Sequence, residues 1–211
     1  MLASDILTPA RGTLLDASAV AWSDAELLGY LNEGIRETVL VKPDVYPVRG
    51  ALALAAGIVQ VLPADGVVLI DITHNVASGR VVTVTDLALL QEANRFYPAA
   101  TQQAEVENFA TDPRDPRRYI VFPPNNAAGS VYAVYGGTPA GLATTGDTFP
   151  LTDVYQPPLI SYVLSRAYAK NSKRQDLTKA AAYRQQWAQG LGMKSAATVA
   201  AVPHVSQSPG L

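Results

Sequence analysis

The hydrophobic period of this chain changes twice, and that pattern restricts its fold more than any single motif. Both ends repeat with the spacing of a helix, while the middle alternates or runs as β-branched segments. A helix-period segment cannot serve as a strand without turning its apolar face to water, so terminal helices must be combined with an intervening sheet. Trp22-Ser23-Asp24-Ala25-Glu26 opens the first helix. Ser23 is placed to cap the Glu26 amide and Glu26 to return to the Ser23 amide, a capping box. Leu28, Leu31, Ile35 and Val39 then recur at three and four residues to about Leu40, and Pro43 forces the chain out.

At the other end, Leu159, Ile160, Val163, Leu164 and Ala167 cover an arc of about 140° at about 100° per residue. Ser161, Ser165 and Ala169 form a second row, with Tyr162 beside it. Small residues in a row let another backbone come close; the alternative is that the serines face water. After the polar break Asn171 to Gln175, Asp176 is a suitable N-cap for a second helix with the stripe Ala180, Tyr183, Trp187 and Leu191. Gly190 and Gly192 are expected to stop it. A short polar loop predicts that the two helices lie antiparallel.

Between the helices, Leu52 and Leu54 alternate with alanines, Gly57 turns the chain, and Ile58 to Leu62 returns. Val67 to Val76 and Arg80 to Thr85 are separated by Ala77-Ser78-Gly79, which predicts a hairpin. Asp86 to Asn94 reads as a short helix and Arg95 to Asp115 as irregular. Arg118 to Phe122 and Val131 to Tyr135 complete about six strands, and Gly136 to Thr148 leads back to the helices. The expected class is α+β. An antiparallel helical bundle of residues 1–45 and 150–191 carries an inserted, mainly antiparallel β-domain at 46–149, followed by an extended tail at 192–211. The tail holds one charge, Lys194, with two prolines and many alanines and serines. Alone it buries too little to offset its conformational entropy, so a partner is expected to hold it.

Composition narrows the functional classes. Charged residues make up 16% of the chain, against about a quarter in typical domains, a hint that other chains cover much of the surface. A formal net charge of −2 argues against a free-standing nucleic-acid binder. Thiolate metal sites and disulfides are excluded because there is no cysteine. Met1 to Pro9 lacks the basic and apolar regions of a signal peptide, and no stretch approaches the ~20 apolar residues of a membrane span. A soluble product made in the cytosol is expected.

No catalytic set emerges. The histidines are His74 and His204, and Asp71 lies three residues from His74, on the opposite face of a regular strand. Nucleophile elbows, phosphate loops and zinc motifs are missing, and the carboxylates Asp65, Asp71, Asp86, Glu105 and Glu107 show no pairing. Catalytic, metal and cofactor residues are therefore read as none. The one charge cluster is Asp112-Pro113-Arg114-Asp115-Pro116-Arg117-Arg118-Tyr119, a solvated turn first, then a contact for a neighbouring subunit, and last a direct contact with DNA.

In order and spacing, these residues resemble the head-to-tail adaptor (connector) proteins of tailed bacteriophages of the short-tailed type. The resemblance spans roughly Ala21 to Leu191. It rests on Trp22 to Gly34, Gly57 to Pro63, Asp112-Pro113, Tyr119 to Pro123, Val134-Tyr135, Tyr162 to Lys170 and Tyr183. It implies a non-enzymatic virion protein of the neck or tail, assembled in the host cytoplasm. Such a protein forms a dodecameric homo-oligomeric ring that joins the portal protein to the tail tube or nozzle protein and continues the channel for genomic double-stranded DNA. By position, Gly192, Met193, Lys194, Val199, Val202, His204, Val205 and Leu211 become candidates for portal contact. Candidates between subunits are Ser161, Tyr162, Ser165, Ala169, Arg114 and Arg117. Another neck, tail-completion or baseplate protein is the nearest alternative, and a glycan-binding or glycan-cleaving tail module using Tyr132 or Tyr135 a further one.

Overall fold

The computed structural model describes residues 1–93 and 97–201, of which 93 and 193–201 are described as backbone alone. It is mixed α and β, with five α-helices and two sheets among the described residues. The chain forms two compact units, one from Met1–Thr38 and the residues from Gly141 onward, the other from Val39–Ala140.

The first unit is helical. It contains α1 (Ser4–Leu14), most of α2 (Asp24–Val41), α4 (Gln156–Ala169) and α5 (Leu177–Ala201), and α3 (Leu87–Ala93) belongs to the second unit. In α2 the Glu26 amide donates to Ser23 Oγ at 3.2 Å, so half of the expected capping box is present. The other half is replaced, because the Glu26 carboxylate accepts from Tyr30 Oη at 2.9 Å and Lys170 Nζ at 2.8 Å. Leu28, Leu31, Ile35 and Val39 are all buried. Contacts along the helices fix their directions: Glu26 meets Lys170, Glu33 meets Arg166 and Glu37 meets Tyr162, so α2 and α4 run oppositely. Tyr168 stacks on Tyr183, Tyr162 meets Trp187 edge-on, and Gly190 abuts Pro158, so α5 runs opposite to α4.

Two helical features depart from the sequence reading. Helix α5 passes through Gly190 and Gly192 to Ala201. A Cβ at Gly190 would lie 3.1 Å from Pro158 Cβ, so this glycine permits a close approach to α4 instead of ending the helix. The alanines that follow supply helix propensity, which a glycine lowers by only about 1 kcal/mol, and the expected extended tail is therefore helical at 192–201. Helix α1 was hidden by Pro9 in its interior. A proline there cannot donate to the Asp5 carbonyl, and Gln156 Nε2 fills that place from α4 at 2.9 Å.

The second unit stacks two sheets around one core. Strands β1 (Pro47–Ala53), β7 (Ser130–Gly137) and β3 (Gly66–Asn75) form one sheet in that order; β2 (Gly57–Val61), β6 (Arg118–Asn125), β5 (Asn108–Thr111) and β4 (Thr83–Val84) form the other. Every pairing is antiparallel except β4 with β5. Leu54, Leu62, Leu69, Ile72, Phe109, Tyr119, Val121 and Val131 contribute to the buried cluster. The turn at Gly79, with φ of 74°, closes as expected through Asn75 N to Arg80 O at 2.8 Å. The hairpin then splits, since only His74 bridges Val81 before β4 joins β5 in the other sheet. Likewise β6 and β7 fall in different sheets. Strand β5 lies within the stretch read as irregular.

Buried side-chain amides hold these crossings. Asn75 exchanges two hydrogen bonds with the Val106 backbone at 2.8 and 3.0 Å. Asn125 donates to the carbonyls of Gln103 and Ala104 and accepts from Ala127 and Gly129. Gln60 does the same for Ala55 and Gly57. Each amide satisfies loop backbone that no ladder reaches. The expected short helix is α3, with Asp86 Oδ1 accepting from the Ala88 amide at 2.7 Å.

The Pro9–Gln156 arrangement gives a double-mutant test. Gln156→Ala should destabilise the protein by about 1 kcal/mol in denaturant titration. In a Pro9→Ala background, where residue 9 regains its amide proton, the same change should cost measurably less.

Candidate interaction surfaces

The densest polar arrangement in the helical unit joins α2, α4 and α5. Tyr162 Oη donates to Glu37 Oε1 at 2.6 Å, and Arg184 bonds the other carboxylate oxygen. The Arg184 guanidinium lies 5.0 Å from the Tyr162 ring centroid and 4.4 Å from that of Trp187, whose indole donates to the buried Thr38 hydroxyl at 3.3 Å. Burial opposes ionisation of Glu37, but the hydrogen bonds from Arg184 and Tyr162 outweigh it and hold the carboxyl below the ordinary glutamate range. Burial and the hydrogen bond to Glu37 push the Tyr162 phenol up to about 12. The result is a charged clasp that joins the Glu26–Lys170 and Glu33–Arg166 pairs along the same seam, suited to fixing helix positions.

The expected site residues fall into distinct settings. Tyr162 and Ser165 are buried, and Ser165 Oγ donates to the Tyr162 carbonyl at 2.7 Å, so both serve the packing of the chain itself. Ser161 is half-buried and Ala169 exposed. A glycine on α2, Gly34, faces Tyr162 and Leu159 instead of the small-residue row; a Cβ there would lie 2.7 Å from the Tyr162 ring. Arg114 and Arg117 are exposed on a turn shaped by its own aspartates, with Arg114 N donating to Asp112 Oδ1 and Arg117 N to Asp115 Oδ1. Arg117 also bonds the Pro63 carbonyl at 3.0 Å, and Asp115 pairs with Arg118. Gly192 is exposed on α5. Met193, Lys194 and Val199 continue that helix, where the backbone alone is described; Val202, His204, Val205 and Leu211 lie outside the described residues.

On the other unit, His74 stacks on Tyr132 at 5.3 Å and its Nδ1 meets Thr73 Oγ1 at 2.8 Å. Tyr135 is buried in the core. Among the described residues no three His, Asp or Glu side chains gather as a metal site, and no helix is long and apolar enough to cross a membrane.

The sequence model of the SU10 adaptor protein family matches residues 1–207. This chain belongs to that family. It is a phage structural adaptor, as the residue pattern from Trp22 to Tyr183 implied at that level. No curated protein matches it. The order of the loop after α1 was missed in the sequence: Asp16 organises it, its carboxylate accepting the amides of Val20, Ala21 and Trp22. An aspartate seven residues before the Ser23 cap was the available signal.

The clasp yields a pH prediction. Glu37 and Glu26 are both held below their ordinary 4.5. Their stabilisation is complete above that pH and is lost as pH falls through the lowered folded values. Glu37→Gln should cost on the order of 1 kcal/mol at neutral pH, a charge-assisted bond discounted for partial exposure. Urea titrations should show the gap to wild type closing as pH falls below the ordinary glutamate value of 4.5; a gap independent of pH would exclude the ionised clasp.

Proposed function

We propose that this adaptor forms a homo-oligomeric ring, dodecameric as the family resemblance implies, that joins the portal to the tail tube or nozzle of a short-tailed phage and continues its DNA channel. The family match over residues 1–207 carries this reading. In it, the helices act as an antiparallel bundle with the β-rich unit as an insertion, and residues 192–211 bind the portal. The low charge of the chain supports passage of DNA without retention, since phosphates sliding through a ring are hindered by salt bridges that hold them. Ser161, Ala169, Arg114 and Arg117 keep the exposure that contact with a neighbouring copy requires, while Tyr162 and Ser165 act by setting helix positions. Assembly is sequential: the free chain associates weakly with itself, and portal binding holds the tail and templates the ring.

Truncation after Leu191 separates folding from docking, because Ala180, Trp187 and Leu191 remain to bury the α5 face. The truncated chain should lose only the helical circular dichroism signal of residues 192–201 and keep a cooperative melt, yet fail to attach to purified portal protein by native mass measurement. Full occupancy of the portal by the truncated chain would overturn the tail assignment. Loss of portal binding by the intact chain would instead favour another neck or baseplate position. Duplex DNA should bind the isolated protein weakly, and tight, salt-sensitive binding would contradict the channel reading.

A further inference from the structure

Helix α1 ends in a loop that exposes apolar side chains and is tied too firmly to withdraw them. Leu15 and Val20 are 86% and 84% exposed, the most exposed large hydrophobic side chains among the described residues. Leu15 and Ala19 hold φ of 53° and 55°, a left-handed backbone that side-chain-bearing residues adopt only under constraint. The constraint is the buried Asp16 carboxylate, which accepts the amides of Val20, Ala21 and Trp22 at 2.9 to 3.1 Å. Arg11 adds bonds to the carbonyls of Asp16 and Trp22 and to the Asp24 carboxylate. The rim is basic: Lys173 and Arg174 are exposed on the loop after α4, and Arg174 donates to the Leu14 carbonyl while lying over the Trp22 ring.

The other end of α1 carries the complement. Leu2 and Val154 are 43% and 55% exposed, and Asp5 and Asp153 are exposed carboxylates. Leu2 bridges Thr148, and Gln156 bonds the Asp5 carbonyl, which brings residues 153–154 to this end. Asp5 meets Gln156 and Leu14 meets Arg174, so α1 and α4 run in the same direction with one patch at each end. Eleven residues of α1 separate the patches by about 16 Å.

We propose that the Leu15 and Val20 patch of one copy docks on the Leu2 and Val154 patch of the next, with Lys173 and Arg174 facing Asp5 and Asp153. The contact rests on the ring reading above and names the surfaces that make the ring. Unlike patches at opposite ends form a heterologous contact, which repeats from copy to copy where a like-with-like contact would stop at a dimer. Opposite charges set the register and disfavour the meeting of like patches. A loop held by Asp16 loses little freedom on docking. Few anchors on each side make the contact weak in isolation, in keeping with a chain that assembles on a template.

The chain has no cysteine, so introduced thiols report unambiguously. Full-length Leu15→Cys and Val154→Cys proteins, mixed and oxidised, should give a disulfide dimer several-fold above either protein alone, and the double variant a ladder. Lys173→Glu in the Leu15→Cys copy should reduce the yield several-fold, and Asp153→Lys in the facing copy should restore it. Equal dimer from Leu15→Cys alone would overturn the pairing, since like patches would then be meeting. No dimer in the mixture, while wild-type chains form rings by native mass measurement, would overturn this contact and leave the ring. Wild-type chains that never associate, with or without portal protein, would overturn both.

Discussion

Helix α4 is packed against three other helices, and the helical unit depends on that. Helix α1 lies along it, α5 returns against it, and α2 fastens to it through Glu26–Lys170, Glu33–Arg166 and Glu37–Tyr162. Leu159, Tyr162, Val163, Leu164, Ser165 and Ala167 are all buried as a result. A helix enclosed in this way needs small residues where its neighbours come close. Gly34 stands against the Tyr162 ring, and Gly190 stands against Pro158. Its buried polar atoms need partners within the same seam, which the Ser165 bond to the Tyr162 carbonyl and the Glu37 clasp supply. With this face of α4 enclosed, exposed large apolar side chains of the helical unit lie elsewhere, at Leu15 and Val20 after α1 and at Val154 before α4.

What could be read from the residues alone followed this division between local and long-range causes. The α2 stripe, the Ser23 cap and the Asp176 cap are local devices, and each lies where the spacing predicted. The errors arose where a distant residue decides. Helix α1 tolerates Pro9 because Gln156 reaches it from 151 residues away in sequence. Gly190 is a close-packing residue only because Pro158 faces it. Strand β5 is four residues long and depends on pairing with both β4 and β6, so no window centred on it shows a strand period. The hairpin at Gly79 was legible as a turn, but no local signal tells β4 to leave β3 after one bridge. For the interaction surfaces, the small-residue row was visible as a pattern. Its assignment to the chain's own interior at Ser165 required the positions of the helices packed around α4.

Charge is where these threads meet. The chain carries few ionisable residues, and the structure commits many of its cations internally: Arg11 to Asp24, Arg80 to Glu105, Arg118 to Asp115, Arg166 to Glu33, Lys170 to Glu26 and Arg184 to Glu37. Exposed pairs of this kind contribute little to stability, roughly 0–1 kcal/mol each, but they neutralise the surface and set helix register. A surface neutralised in this way offers little purchase to a polyanion and leaves the long-range field weak. Association with other chains must then depend on short-range apolar contact at fixed geometry. Such contacts are poor at capturing partners from solution and good at discriminating once a template has brought them together. A left-handed Leu15 held out by a buried aspartate is the kind of anchor this regime favours, because its conformation is set before any partner arrives.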